Sequence, residues 1–361
     1  MYDVKNSLNS PHGKDWDSSL DLLRIFAFLN VVVGHFFIWN DYYKIPLEGK
    51  SMFLVTWIQL FSRISVPLFL MLTGYLMNRK NLSVRYYRGV VKTIFVYILA
   101  SLFCYYYKVL AFPQKPPHFL YELFGFSISE YAWYLELYLC LFLFIPFLNK
   151  LYHGLDTKKE KQALLVTMAL LTWVPSFVNW RHQWLPAYWT ILFPITYYFV
   201  GAYLSEYLPK VKVRYLLLTL AVYIGLACLL FWHDFSGKVI EMNAVTIRYQ
   251  NGIVVAVPAI LIFLIFKQIP TKNWNVRVKS GVKYIAGLCL GAYLVSYAFD
   301  SFGYGWVQEQ AVGFEAQLAY MPQMVLFTIC CSLFVSVFLT AFANILLLGF
   351  DMLISCFSHS K

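Results

Sequence analysis

Ten apolar runs of membrane-spanning length recur along a chain of 361 residues. They lie near 20–40, 52–78, 89–108, 132–149, 162–179, 188–207, 213–232, 251–267, 283–302 and 321–350. A hydrocarbon core needs roughly 20 apolar residues of helix to span it, and lipid offers no water to an open strand. The expected fold class is therefore all-α: a polytopic integral membrane protein of about ten transmembrane helices. The last run, at 30 residues, must tilt, kink or project beyond the bilayer. Composition agrees, with 60% apolar and 13% charged residues, against about 45–50% and 25% in a soluble domain.

Lysine and arginine set the orientation. The loops after runs two, four, six and eight, with the adjoining helix starts, hold 17 of them, from Arg79 to Lys283. The five opposite loops hold 7: Lys44, Lys50, Lys108, Lys115, Arg181, Lys238 and Arg248. Both termini are then expected in the cytoplasm, with the chain multi-pass in the cell membrane. The net charge of +11 belongs mostly to these loops, so no nucleic-acid partner is expected. The polar first 18 residues lack the apolar core of a cleavable signal peptide. No repeat or linker marks a boundary, so residues 1–361 are expected to form one membrane-embedded domain with no extra soluble domain. Most of the seven cysteines sit in apolar runs and none forms a CxxC pair. They read as small hydrophobes, with no disulfide framework and no metal site expected.

The informative residues are the ionisable ones inside the runs. The first run carries Arg24 and His35, 11 residues apart. On a helix that spacing turns about 1100°, three turns plus about 20°, so both side chains share a face roughly 16 Å apart. The other histidines (His12, His118, His153, His182, His233 and His359) fall in loops, run ends or tails. A histidine at mid-membrane depth is a functional candidate by its cost. The plainer reading is a hydrogen bond that glues two helices.

Arg63 is the second anomaly, well inside run two, with Pro67 four residues on to break the helix ladder. It either lines a cavity and meets an anion, or forms a structural salt bridge with Glu136 or Asp300. Glu136 and Asp300 could each pair with an arginine or orient a catalytic group. Asp300, at the end of its run, reads more simply as a headgroup-level residue. Arg85, Arg88 and Lys92 make a basic cytoplasmic mouth, or ordinary positive-inside bias.

At these residues the chain resembles acyltransferase family 3, the integral membrane O-acyltransferases of bacterial surface and secreted glycans. Three stretches carry the likeness. The first is Arg24, Ala27 and Gly34-His35, with the 11-residue spacing. The second is Val66-Pro67-Leu68-Phe69 followed by Thr73-Gly74-Tyr75-Leu76, preceded by Arg63 and followed by Arg85, Arg88 and Lys92. The third is Trp133-Tyr134-Leu135. Gly201 fits a common glycine position. One departure is clear: many members carry Tyr-Leu-x-His late in the chain, and here Tyr293-Leu294-Val295 is followed by Ser296. No SGNH-type esterase domain is expected alongside it.

The resemblance implies transfer of an acyl group, most often acetyl from acetyl-CoA, to a sugar hydroxyl of a cell-envelope polysaccharide. Acetyl-CoA would be a co-substrate, and no metal is implied. His35 is the candidate general base, or carries the acyl group covalently. Arg63 is the candidate to stabilise the developing thioester oxyanion. Arg24, Arg88 and Lys92 are candidates for the coenzyme A phosphates. Trp133, Tyr134 and Glu136 form the candidate acceptor-binding group. Expected partners are the bilayer, a glycan acceptor, and a second copy or a glycan-synthesis protein. The competing class is a glycan exporter, which ten spans with intramembrane charges would also suit. Against it, the chain shows no paired, interrupted segments of an inverted repeat. A non-catalytic scaffold would gain nothing from the cost of Arg24 and His35.

Overall fold

The computed structural model describes residues 17–45, 49–114, 118–179, 182–235 and 252–359. His12, Lys115, Arg181, Lys238 and Arg248 lie outside the described residues, as do the side chains of Lys50, Cys228, His233, Cys356 and His359. Every element among the described residues is helical. The principal helices are α1 (Ser18–Trp39), α2 (Gly49–Ser62), α3 (Ser65–Met77), α4 (Val91–Ala111), α5 (Trp133–His153) and α6 (Lys158–Val178). They continue with α7 (Phe193–Glu206), α8 (Val213–Phe235), α9 (Ile253–Lys267), α10 (Val276–Gln310) and α11 (Met321–His359).

Seven helical stretches among the described residues are long and apolar enough to cross a membrane. They are Ser18–Trp39, Val55–Met77, Val84–Ala111, Glu130–His153, Lys158–Val178, Val276–Gln310 and Met321–Ser355. The other three expected runs are helical too, at α7, α8 and α9. Helix α9 has 15 residues, fewer than the roughly 20 of a full span, while α7 has 14 and follows directly on the 3-10 turn Ala187–Leu192, which makes a helical stretch of about 20. Both bury most of their surface inside the bundle. A short helix buried on all sides and a lipid-facing span give the same apolar signature, which is why run counting cannot separate them.

Local chemistry explains the element ends. Asp17 caps α1 by accepting from the Ser19 amide at 3.1 Å, and Thr157 with Glu160 forms a capping box on α6. The break between α2 and α3 follows from Pro67. Its ring crowds the carbonyl four residues back, that of Arg63, and it offers no N–H. The chain tightens there: Arg63 N bonds Leu60 O at 3.1 Å, and Ile64 N bonds Phe61 O at 3.2 Å. Asn30 of α1 donates to Phe61 O at 3.0 Å and to Ser65 Oγ at 3.2 Å, fastening α1 to both sides of the break.

Helix α3 packs on α7 backbone to backbone. A Cβ on Gly74 would overlap the Tyr198 carbonyl, and one on Gly201 would overlap that of Met71. Only glycine allows this approach. Helix α10 packs along α1, α4 and α11. A buried cluster there includes Phe28, Val32, Tyr97, Ala292 and Leu294. This packing carries the side chains of α10 up to those of α1.

A candidate active site at His35 and Asp300

His35 points from α1 into the bundle and is 6% exposed. Its Nδ1 lies 2.9 Å from Oδ2 of Asp300 on α10, a residue with no exposure at all. Tyr131 donates its hydroxyl to the same Oδ2 at 2.7 Å, and Thr328 of α11 donates to Oδ1 at 2.7 Å. Two hydroxyl donors and an imidazole thus converge on one carboxyl group, the pattern an ionised carboxylate satisfies. The same network assigns a proton to Nδ1, so that in the neutral ring Nε2 is the nitrogen with the free lone pair. Nε2 has no hydrogen-bond partner among the described residues, and His35 lines the main cavity.

The imidazole is further held by its surroundings. The Tyr131 ring stacks on it with centroids 3.7 Å apart. Trp39 Nε1 donates to the Tyr131 hydroxyl at 2.6 Å, and the Tyr293 hydroxyl donates to the Tyr131 carbonyl at 2.5 Å. Tyr131 belongs to a single 3-10 turn, Glu130–Ala132, just before α5. Ser129 Oγ fastens that turn to α10 through Leu294 O at 3.1 Å. Four helical elements therefore fix one ring nitrogen, the kind of support a reacting group needs.

The cavity measures about 460 Å³, and its wall includes both Arg24 and Ile38. Those residues are 14 apart on α1, so the cavity follows the helix for roughly 21 Å. Arg24 marks one end, with Met77 at the far end of α3 from the Asn30–Ser65 contact, and Ile38 marks the other, where Tyr131 meets His35 and Trp39 and brings Glu130 and Trp133 with it. His35 lies between them.

The other sequence candidates are distributed as follows. Arg24 lines the cavity, and its nearest carboxylate is Asp21, one turn back, at 3.5 Å. Arg63 lines it too, but donates to the Tyr43 hydroxyl and lies 5.2 Å from that ring centroid. It pairs with neither of its expected carboxylates. Trp133 and Tyr134 line the cavity, whereas Glu136 is exposed and outside the lining. Arg88 is exposed and bonded to Asp351 of α11 at 2.5 Å. Lys92 is half-buried, and neither it nor Arg88 borders the cavity.

Asp300 corrects its headgroup reading. It is fully buried and takes three hydrogen bonds inside the bundle, where a headgroup-level residue would meet water and lipid headgroups, and helix α10 continues ten residues beyond it, to Gln310. Ser296, which stands where the family resemblance often has a histidine, is buried and donates to Tyr293 O at 2.8 Å. Asp300 is four residues on and so on the same helix face. Sequence reasoning missed Tyr131, Thr328, Trp39 and Tyr293. Two of them carried a signal: Tyr131, by its place two residues before the Trp133-Tyr134-Leu135 stretch, and Tyr293, as the first residue of the Tyr293-Leu294-Val295 stretch.

No curated protein and no solved structure matches the chain. A family model described as an acyltransferase domain matches residues 17–343. That range contains every residue that borders the cavity and every partner of Asp300. By this match over nearly its whole length, the chain belongs to acyltransferase family 3.

Proposed function

We propose that this membrane acyltransferase moves an acyl group, acetyl in the first instance, from acyl-CoA to a hydroxyl of a cell-envelope or secreted glycan. The observation that carries this reading is the His35–Asp300 pair, 2.9 Å apart, on a histidine that lines a cavity. A sugar hydroxyl is a poor nucleophile near neutral pH and needs a base within reach. His35 Nε2 takes the hydroxyl proton while the oxygen attacks the thioester carbon. The carbon–sulfur bond breaks, and His35 returns the proton to the departing thiolate. Asp300 holds the ring and balances the imidazolium during the step, as an orienting carboxylate does in other histidine-based acyl transfers.

The donor is assigned to the Arg24 end. Among the described residues this arginine pairs with Asp21 alone, across 3.5 Å, and keeps N–H groups for a phosphate. In this reading the end faces the cytoplasm, the apolar runs make ten crossings, with the stretches at α7 and α9 crossing as short helices enclosed by the bundle, and both termini are cytoplasmic, as the lysine and arginine distribution implies. Arg88 and Lys92 contribute by their charge at the cytoplasmic rim, outside the cavity. Trp133 and Tyr134 border the acceptor side.

The test uses purified full-length protein, labelled acetyl-CoA and no acceptor. Wild type and His35→Ala are both expected to bind the donor, and only wild type to hydrolyse it slowly. Donor hydrolysis by the variant at the wild-type rate would remove His35 from the chemistry. Failure of folded wild type to bind the donor would end the acyl-CoA reading.

A further inference from the structure

Arg63, the sequence candidate for the thioester oxyanion, takes no part in the base and donor assignments above. Arg63 stands at the break between α2 and α3, and its guanidinium donates to the hydroxyl of Tyr43. Tyr43 lies in the short turn Tyr42–Lys44, just past α1, so the contact draws the guanidinium towards the Ile38 end. Gln59 Nε2 donates to the same hydroxyl at 2.7 Å, holding the tyrosine in place. A guanidinium has five N–H donors, and Tyr43 uses one side of the fork.

No carboxylate among the described residues pairs with Arg63. Asp300 is taken by His35, Tyr131 and Thr328. Asp41 is bonded to Lys44 at 2.8 Å. Glu130 borders the same end from the α5 side, beside the Tyr297 hydroxyl, with Lys108 Nζ 5.1 Å from that ring. A half-buried guanidinium in a largely apolar wall gains most when an anion arrives to pair with it.

Resting on the acyl-transfer reading, we propose that this end of the cavity selects an acidic acceptor, one with a carboxylate or phosphate near the hydroxyl to be acylated. Arg63 takes the anion through its open fork, the geometry guanidinium shares with both acids. Trp133 offers an apolar face to the sugar ring. Glu130 accepts from sugar hydroxyls on the opposite side, and its charge repels a second anion placed there. The acceptor is thus acidic on one side and neutral on the other.

The experiment uses full-length protein in lipid nanodiscs and two pairs of probes. Methyl β-glucuronide is set against methyl β-glucoside, and glycerol 3-phosphate against glycerol. Binding is read by ligand-observed NMR, which needs no turnover, and His35-dependent thioester hydrolysis is measured separately. In wild type the acidic member of at least one pair is expected to bind about tenfold tighter, the worth of one charge-assisted contact. Which pair shows the preference distinguishes a uronate from a phosphate acceptor. Arg63→Gln, with an unchanged melting temperature, should remove the preference, and Arg63→Lys should keep part of it. Equal binding within both pairs, or an acidic preference that survives Arg63→Gln, overturns the proposal. Hydrolysis without acidic preference defeats this inference alone. Acidic preference without hydrolysis defeats the acyl-transfer reading and leaves the anion site standing.

Discussion

Replacing Asp300 by asparagine separates the charge of the site from its shape. The carboxylate accepts from His35 and Tyr131 on Oδ2 and from Thr328 on Oδ1. An asparagine can turn its amide oxygen towards His35 and Tyr131. Its NH2 then faces Thr328, whose hydroxyl can accept instead of donate. The hydrogen-bond count survives, so folding should change by no more than about 1–2 kcal/mol. What disappears is the negative charge beside the imidazolium that forms when His35 takes a proton. Two unit charges about 3 Å apart interact by roughly 5–6 kcal/mol at an effective dielectric near 20. That figure is an upper bound, because the amide dipole and relaxation recover part of it. A loss of about 4 kcal/mol corresponds to roughly 10³ in rate.

The assay is thioester hydrolysis or acetyl transfer by purified Asp300→Asn, with donor binding measured alongside. The expected result is a rate lower by about 10³ with donor affinity within about threefold of wild type, since the loss belongs to the transition state alone. Asp300→Ala supplies the contrast. It leaves three buried donors without a partner, at about 1–3 kcal/mol each, and should lower the melting temperature sharply. A variant Asp300→Asn with the wild-type rate would refute the orienting role of Asp300, however well the distances fit.

Three further outcomes follow from other parts of the molecule. Arg24→Ala should weaken acetyl-CoA binding by about tenfold, measured by equilibrium binding; unchanged affinity would remove Arg24 from the phosphate site. Gly201→Ala must place a methyl against the Met71 carbonyl, a backbone atom that cannot swing away, so thermal unfolding should show a loss of about 1–3 kcal/mol or more. Asp17→Ala should cost about 1 kcal/mol at neutral pH through loss of the α1 cap. Burial raises the Asp17 pKa, but the hydrogen bonds from Lys267 and Ser19 outweigh it and hold the carboxyl below its ordinary value. A depressed pKa contributes stability above the unfolded value and loses it as pH falls through the folded one. The gap between wild type and Asp17→Ala should therefore close below the usual carboxylate range, which pH-resolved melting would show.

Arg24 and His35 were legible because an ionisable residue stands out in an apolar run, and their shared face follows from helix geometry alone. The break at Arg63 was legible from Pro67. Asp300 was misread for a definite reason: its apolar run fades near residue 302, but the helix continues to Gln310. Thr328 was invisible because threonine is ordinary in membrane helices, and only the packing of α10 and α11 gives it a partner; Tyr131 had no trace beyond its place next to the Trp133-Tyr134-Leu135 stretch. The pairing of Arg88 with Asp351, 263 residues away, likewise has no local trace. It turned a donor-site candidate into part of a surface ion pair.

A cavity that follows a helix for much of its length would also serve an exporter, so the cavity alone does not decide between transport and chemistry. The surroundings of Asp300 weigh towards chemistry. A proton-coupled carrier needs successive titratable groups that pass a proton along a path. The other partners of Asp300 are the hydroxyls of Tyr131 and Thr328, which hold a carboxylate but offer a proton no onward site near neutral pH. Stacking by Tyr131 at 3.7 Å and the Trp39 bond behind it restrict the imidazole to one orientation. A carrier would gain nothing from that restriction, since its histidine must face both ways in a cycle. A base that must meet a hydroxyl and a thioester together gains from it directly, through the orientation that makes the encounter productive.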